Sequence, residues 1–285
     1  MALKFKLQFL NLPIKKISLE HIKELNEDTS AKRINFASSH KNALSKSAVG
    51  GKIRLPFKDS IGPFIQAKLG SEIILFSSKF DNSVWRSIST NHEYINFEDF
   101  IRENNEIVFL RDNLDLSICL SMNFDDEGQH TRIGELEYQA KFNDNQDAES
   151  KLVNICKVWL ASSPYYKLAD YICSVPCTNK NDISLPKRII NSLSGFDFED
   201  ISDQIYWKSK TKKVKDAGSM EEKLVILEES DLRVDKDLSG KTIILMDDLY
   251  MSGLSLQYVA MKLKEAGAER VFGLCLVKSR SNTTR

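Results

Sequence analysis

Hydrophobic and polar residues follow two different patterns along the chain, and the change comes near residue 146. Residues 114–124 alternate strictly between apolar and polar side chains, which predicts a strand with one buried face. Residues 125–129 supply a turn, and residues 136–142 alternate again. The pattern therefore predicts a β-hairpin over residues 114–142. Upstream, the pattern predicts short helices at 19–25 and 97–103 and short strands at 72–76 and 107–110.

Beyond residue 146, helical and strand patterns alternate. Ser184 is placed as the N-cap of a helix that ends before Gly195. Amphipathic helices are also predicted at 152–159 and 256–266, and strands at 171–175, 224–227, 242–246 and 271–277. This order implies a parallel sheet with helices packed on it. We therefore expect an α/β fold, with a parallel-sheet domain over residues 146–285 preceded by a mixed α+β region over residues 1–145.

The sharpest local feature is the segment 243–255, in which a buried apolar strand ends in two adjacent carboxylates, Asp247 and Asp248. Ser252, Gly253 and Ser255 then lead into a helix. Ligands of open α/β sheets bind at the carboxyl ends of strands, and a helix N-terminus favours a phosphate. The two acids suit ribose hydroxyls or Mg²⁺, held directly or through water. A merely structural explanation is a capped βα turn, although the full spacing is more specific than such a turn needs.

This segment resembles the phosphoribosyl pyrophosphate (PRPP) motif of type I phosphoribosyltransferases. Tyr250 makes it most similar to the competence-associated ComF-type proteins of that group. The resemblance implies transfer of phosphoribosyl from PRPP to a nitrogen acceptor, with Asp247 and Asp248 as catalytic and Mg²⁺-binding residues. It also implies a loop for the 5′-phosphate, made of Tyr250, Met251, Ser252, Gly253, Leu254 and Ser255.

A weaker likeness extends upstream over roughly the second half of the chain. Tyr138, Lys141 and Phe142 resemble a signature near the start of such domains. The candidate pyrophosphate loop consists of Pro176, Cys177, Thr178, Asn179 and Lys180. A lysine-rich segment resembles the hood that closes over the substrate, or is a solvated surface loop; its candidate residues are Lys208, Lys210, Lys212 and Lys213.

The chain also departs from the family in ways that bear on its activity. Met251 stands where purine enzymes carry an Asp that acts on the purine ring, so purine salvage is not expected. The pyrophosphate loop lacks the arginines common there, and Lys180 is its only cation. The zinc-ribbon cysteines common at the front of ComF-type proteins are absent.

Charge adds one further candidate surface. The chain has 40 basic and 40 acidic residues, so its net charge of zero gives no general attraction to nucleic acid or membrane. Residues 29–58, however, contain seven Lys and Arg and no Asp or Glu. This stretch is either an arm for single-stranded DNA or a protein partner, or a solvated face. A second functional hypothesis is therefore a non-catalytic PRPP- or nucleotide-binding module in DNA uptake, DNA processing or phage defence.

Cysteine use and hydropathy set the expected compartment. The five cysteines are odd in number and scattered, which favours a reducing environment over a disulfide framework. No signal peptide and no apolar run of about 20 residues is evident, so we expect a cytoplasmic protein that does not span the membrane. A homodimer is a further expectation.

Overall fold

The computed structural model describes residues 12–69, 76–77, 83–177, 183–209 and 217–280. Its strands are β1 Arg33–Asn35, β2 Leu44–Lys46, β3 Gly51–Leu55, β4 Phe76–Ser77, β5 Val84–Ile88, β6 Val108–Leu110, β7 Leu116–Met122, β8 Tyr171–Ser174, β9 Glu199–Asp200, β10 Ile205–Trp207, β11 Leu232–Val234, β12 Thr242–Tyr250 and β13 Arg270–Lys278. Its α-helices are α1 Leu19–Glu27, α2 Ile61–Leu69, α3 Asn91–Glu103, α4 Arg132–Phe142, α5 Gln146–Ser162, α6 Leu185–Ser192, α7 Met220–Glu229 and α8 Leu254–Glu265.

A seven-stranded, mostly parallel sheet lies at the centre, in the order β1-β6-β7-β13-β12-β8-β9. The five strands from β7 to β9 pair in parallel, whereas β6 and β1 add antiparallel pairs at one edge. The predicted α/β class with a parallel sheet is therefore confirmed. Among the described residues, no helix is both long and apolar enough to cross a membrane.

Both faces of this sheet are covered, as the continuous apolar run in β12 requires. Ile244 and Met246 belong to one hydrophobic cluster, together with residues of α4, α5 and α6. Their neighbours Ile243 and Leu245 belong to a second cluster, with residues of α1, α7 and α8. Successive side chains of a strand point to opposite faces, so β12 anchors both layers of helices.

The N-terminal region contributes to the same sheet. Strand β7 pairs with β13 over Leu116–Met122, although about 150 residues separate the two strands in the chain. A separate four-stranded antiparallel sheet, in the order β2-β3-β5-β4, packs into the first hydrophobic cluster. The expected mixed α+β character of this region is present, but the central sheet extends across the expected boundary at residue 145.

The β-hairpin predicted over residues 114–142 is wrong in its second half. Its first strand is β7 and its turn follows, with Gly128 at a φ of +83°. Residues 132–142 then form helix α4, capped by Thr131, whose side chain accepts the Gly134 N–H. Strand β7 is buried throughout, with side chains in both hydrophobic clusters, and its two edges pair with β6 and β13. It therefore needs no hairpin partner.

Residues 224–227 were predicted as a strand and are helical instead. They lie within α7, and Ser219 and Glu222 form a capping box at the N-terminus of this helix. The helices and strands predicted at 19–25, 97–103, 107–110, 171–175 and 242–246 are confirmed, with shifted bounds. Of the strand predicted at 72–76, only Phe76 lies within the described residues, where it begins β4.

A buried carboxylate ties distant segments together at the start of β7. Asp115 is 1% exposed and accepts the backbone N–H groups of Lys15 and Val271, each at 2.7 Å. The Lys264 ammonium of α8 lies 2.7 Å from the same carboxylate. One side chain therefore connects the N-terminal segment, β13 and α8.

We expect Asp115→Ala to lower the free energy of unfolding by about 3–5 kcal/mol, because it leaves a buried ammonium and two N–H groups without their acceptor. Urea unfolding followed by circular dichroism measures the change. Asp99→Ala is the control, since Asp99 makes a surface ion pair with Arg102 and should cost about 1 kcal/mol or less. Equal losses in the two variants would contradict the role given to Asp115.

Candidate functional site

The candidate site lies where three parallel strands end at the same edge of the sheet. Strand β12 continues to Tyr250, four residues past its predicted end, because it remains paired with β13 as far as Lys278. On its other side, the pairing with β8 ends at Met246, and the Val175 N–H donates to the Met246 carbonyl. Asp247 and Asp248 therefore directly follow Met246, the last residue of β12 that pairs with β8.

A lysine from α4 neutralises one carboxylate of the site. The Lys141 ammonium lies 2.7 Å from Asp248 and 3.5 Å from the buried Glu137. Burial lowers the pKa of Lys141, but Asp248 and Glu137 outweigh it and raise the pKa overall. Burial also raises the pKa of Glu137. Lys141 is therefore firmly cationic and holds Asp248 in one orientation.

Asp247 lies in different surroundings from its neighbour, and its carboxylate accepts the Asp248 backbone N–H at 3.0 Å. Both carboxylates are partly exposed. Within the described ranges, no group of three His, Cys, Asp or Glu side chains is arranged to hold a metal ion. The two acids still suit Mg²⁺ chemically, because Mg²⁺ is commonly bound by one or two carboxylates together with substrate phosphates and water.

The loop after β12 brings backbone N–H groups to the same edge. Gly253 has a φ of +75°, and helix α8 begins at the next residue without a side-chain cap. Met251 and Ser252 are exposed, and the Leu254 N–H makes only a long contact of 3.4 Å with the Ser252 hydroxyl. The first turn of a helix has N–H groups without helical partners, so this loop can bind an anion.

Tyr250 supports this loop from inside the fold rather than presenting its hydroxyl to a ligand. It is 7% exposed, and its hydroxyl donates to the carboxylate of the buried Asp112 at 3.2 Å. A β-carbon added to Gly253 would lie 2.2 Å from the Tyr250 ring. Position 253 therefore needs glycine both for its backbone angle and for this close approach.

Two of the five candidate pyrophosphate-loop residues lie in the described part of the chain. Pro176 and Cys177 are half-buried and follow β8 at the same edge as Asp247, while Thr178, Asn179 and Lys180 lie outside the described residues. The buried Trp207 indole N–H donates to the Pro176 carbonyl at 2.9 Å. Trp207 directly precedes Lys208, the first candidate residue of the hood. This hydrogen bond therefore joins the start of the candidate hood to the start of the candidate pyrophosphate loop.

The hood itself falls mostly outside the described residues, including Lys210, Lys212 and Lys213. Lys208 is exposed, and its ammonium lies 3.9 Å from Asp231 at the start of the neighbouring strand β11.

Sequence reasoning gave no role to Lys278, which ends β13 beside the loop. It is 4% exposed, and its ammonium donates to the carbonyls of Met251 at 3.0 Å and Ser279 at 2.7 Å. Burial lowers its pKa to about 8. The sequence signal for Lys278 is a lysine that directly follows the apolar residues 274–277. For Asp112, no pattern of neighbouring residues indicates its contact with Tyr250.

No model of a known protein family matches this chain, and no curated protein matches it either.

We expect Gly253→Ala to lower the free energy of unfolding by about 2–4 kcal/mol, because strain at positive φ adds to displacement of the Tyr250 ring. Gly240→Ala is the matched control, since Gly240 has a φ of +71° but nothing within 4 Å of an added β-carbon. It should cost only about 1–2 kcal/mol. Thermal and urea unfolding of both variants measures the difference, and equal costs would show that the Tyr250 contact is unimportant.

Proposed function

We propose that the protein binds PRPP at the end of β12 and transfers its phosphoribosyl group to a nitrogen acceptor. One observation carries this proposal. Asp247 and Asp248 and an uncapped, glycine-containing helix N-terminus lie next to each other at the carboxyl edge of a parallel sheet. A phosphorylated sugar needs hydroxyl acceptors and a phosphate site a few ångströms apart, and this short segment supplies both.

Each part of the segment has a separate task in this proposal. The backbone N–H groups of residues 252–255, with the hydroxyls of Ser252 and Ser255, bind the 5′-phosphate. The carboxylates of Asp247 and Asp248 accept hydrogen bonds from the ribose hydroxyls. Lys141 acts as a positioning residue, because its ion pair fixes the Asp248 carboxylate before the ribose arrives.

The same two carboxylates would hold Mg²⁺, directly or through water. When bound, the ion neutralises charge that builds up on the departing pyrophosphate. In the transfer, the bond between the ribose carbon and pyrophosphate breaks with its electron pair on the pyrophosphate, and a carbon–nitrogen bond forms. The acceptor nitrogen loses its proton to solvent. Asp247 and Asp248 stabilise the positive character that develops on the ribose.

The nature of residue 251 limits which acceptors suit the site. Met251 is 42% exposed at the start of the loop, and its thioether can neither give nor take a proton. Acid–base chemistry on a purine ring would therefore have to come from another group. The lack of an acid or base at position 251 also favours the second candidate function, in which the site binds PRPP or a nucleotide without turnover.

We expect Asp247→Asn/Asp248→Asn to weaken PRPP binding at least tenfold in calorimetry with Mg²⁺, a loss of about 1.4 kcal/mol or more. The cause is the loss of the charges that hold Mg²⁺ and the ribose hydroxyls. Asp147→Asn is the control, because Asp147 is exposed at the start of α5 and pairs with Lys151 of the same helix. No heat with the wild-type protein, or equal affinity in the double variant, would overturn the proposal.

A second measurement separates transfer from binding without turnover. The wild-type protein is incubated with PRPP, Mg²⁺ and a panel of nucleobases, and released pyrophosphate is measured. Release above the level of the double variant supports the transferase. PRPP binding without release supports the binding module, and single-stranded DNA binding that weakens steeply with salt would support the DNA-related role.

A further inference from the structure

A cavity of about 460 Å³ lies directly beside the candidate phosphate loop. Residues of the loop form part of its wall, including Met251, Ser252 and Leu254. The rest of the wall comes from α1, α7, the start of β1, the end of β13 and the residue after β6. The volume falls within the range of about 300–1,000 Å³ that is common for small-molecule sites.

Five cationic side chains line this cavity, and no acidic side chain does so among the described residues. They come from four separate parts of the fold: Lys32, Arg33, Arg111, Lys223 and Lys278. Two of them belong to the acid-free basic stretch at residues 29–58. The fold therefore brings part of this stretch to the loop, rather than leaving it wholly as a solvated face.

The internal contacts of the protein offset only part of this charge. Asp28 pairs with Arg111, but the buried Nε of Arg111 has no hydrogen-bond partner among the residues that the structure describes. Lys278 is bonded only to backbone carbonyls in its described contacts, and the Lys32 ammonium donates to the Asn26 carbonyl at 3.3 Å. Carbonyl oxygens do not neutralise a cation, so the cavity keeps a net positive charge.

Burial and mutual repulsion make these cations costly to keep together. Burial is the largest cause that lowers the pKa of both Lys32 and Lys278. Asp28 acts against it at Lys32, while a guanidinium group, Arg111 at Lys32 and Arg33 at Lys278, adds to it. The pKa of Arg33 is lowered as well, first by burial. A bound anion would relieve both effects, because it supplies opposite charge at a place with little solvent.

The remaining wall is apolar and suits an uncharged ring. Ile22 and Leu25 of α1 and Met220 of α7 face the cavity together with the Tyr250 ring. We propose that this cavity binds a phosphorylated small molecule of mononucleotide size, with its phosphate on the cations and its base against the apolar wall. This site goes beyond PRPP binding at Asp247 and Asp248, and it does not require that activity.

The direct test is calorimetry of the full chain with adenosine 5′-monophosphate, with adenosine as the probe that lacks the phosphate. We expect the monophosphate to bind at least tenfold more tightly than adenosine. Lys32→Gln/Lys223→Gln should weaken its binding at least tenfold, because two phosphate-facing charges are lost. Both lysines are half-buried at the surface, so the variant should fold, and its melting curve checks this. Lys23→Gln, an exposed lysine of α1 outside the cavity wall, should bind as the wild type does.

Several results would overturn this inference. These are no binding of the monophosphate, binding that is unchanged in Lys32→Gln/Lys223→Gln, and an equal loss in Lys23→Gln. Loss of PRPP binding in the double lysine variant with no monophosphate site would assign the cations to PRPP instead. Tighter binding of a single-stranded oligonucleotide than of the monophosphate would assign them to DNA. Monophosphate binding that survives Asp247→Asn/Asp248→Asn supports a separate site, even if PRPP does not bind.

Discussion

The unequal pairing of β12 with its two neighbours is the constraint on which the candidate site depends. Its ladder to β13 runs to Tyr250, whereas its ladder to β8 ends at Met246. The four residues beyond Met246 are therefore held straight by β13, and on the other side they pair with no strand of the described residues. That stagger exposes the edges of Asp247 and Asp248, yet keeps them on a rigid strand. A shorter ladder to β13 would leave the same residues on a loose loop.

Local physics explains why the strand, the acids, the loop glycine and the helix start could be predicted. They lie within thirteen residues, and each follows from a pattern of neighbouring residues: a buried apolar run, then short polar residues, then an amphipathic stripe. Prediction failed where the partner was distant. Residues 136–142 alternate like a strand, yet the buried positions of helix α4 follow a helical spacing and include Ile133, Glu137 and Ala140. The true neighbours of β7 are β6 and β13, and no local pattern identifies them.

The same limit applied to the contacts that complete the site. Lys141 and Asp248 lie more than 100 residues apart in the chain, as do Asp112 and Tyr250, and both pairs exist only through the tertiary fold. The resemblance pointed to Lys141 but not to its contact. The basic stretch at residues 29–58 is recognisable by its charge, but no local pattern places Lys32 and Arg33 in the wall of the cavity. The composition of the stretch shows its positive charge, and the fold shows that two of its cations face the cavity.

The loop at residues 251–253 separates two regions of opposite charge. On one side lie Asp247 and Asp248, of which Asp248 pairs with Lys141, and on the other lies the cavity with its five cations. Lys278 belongs to the cavity wall but also bonds to the Met251 carbonyl, so it links the cavity to the backbone of the loop. An anion that binds the Lys278 ammonium must therefore either displace its hydrogen bond to the Met251 carbonyl or use another of its N–H groups. Because the Met251 carbonyl shares its peptide unit with the Ser252 N–H, the first of the N–H groups proposed to bind the phosphate, ligands in the two regions would act on one short segment of backbone rather than on independent surfaces.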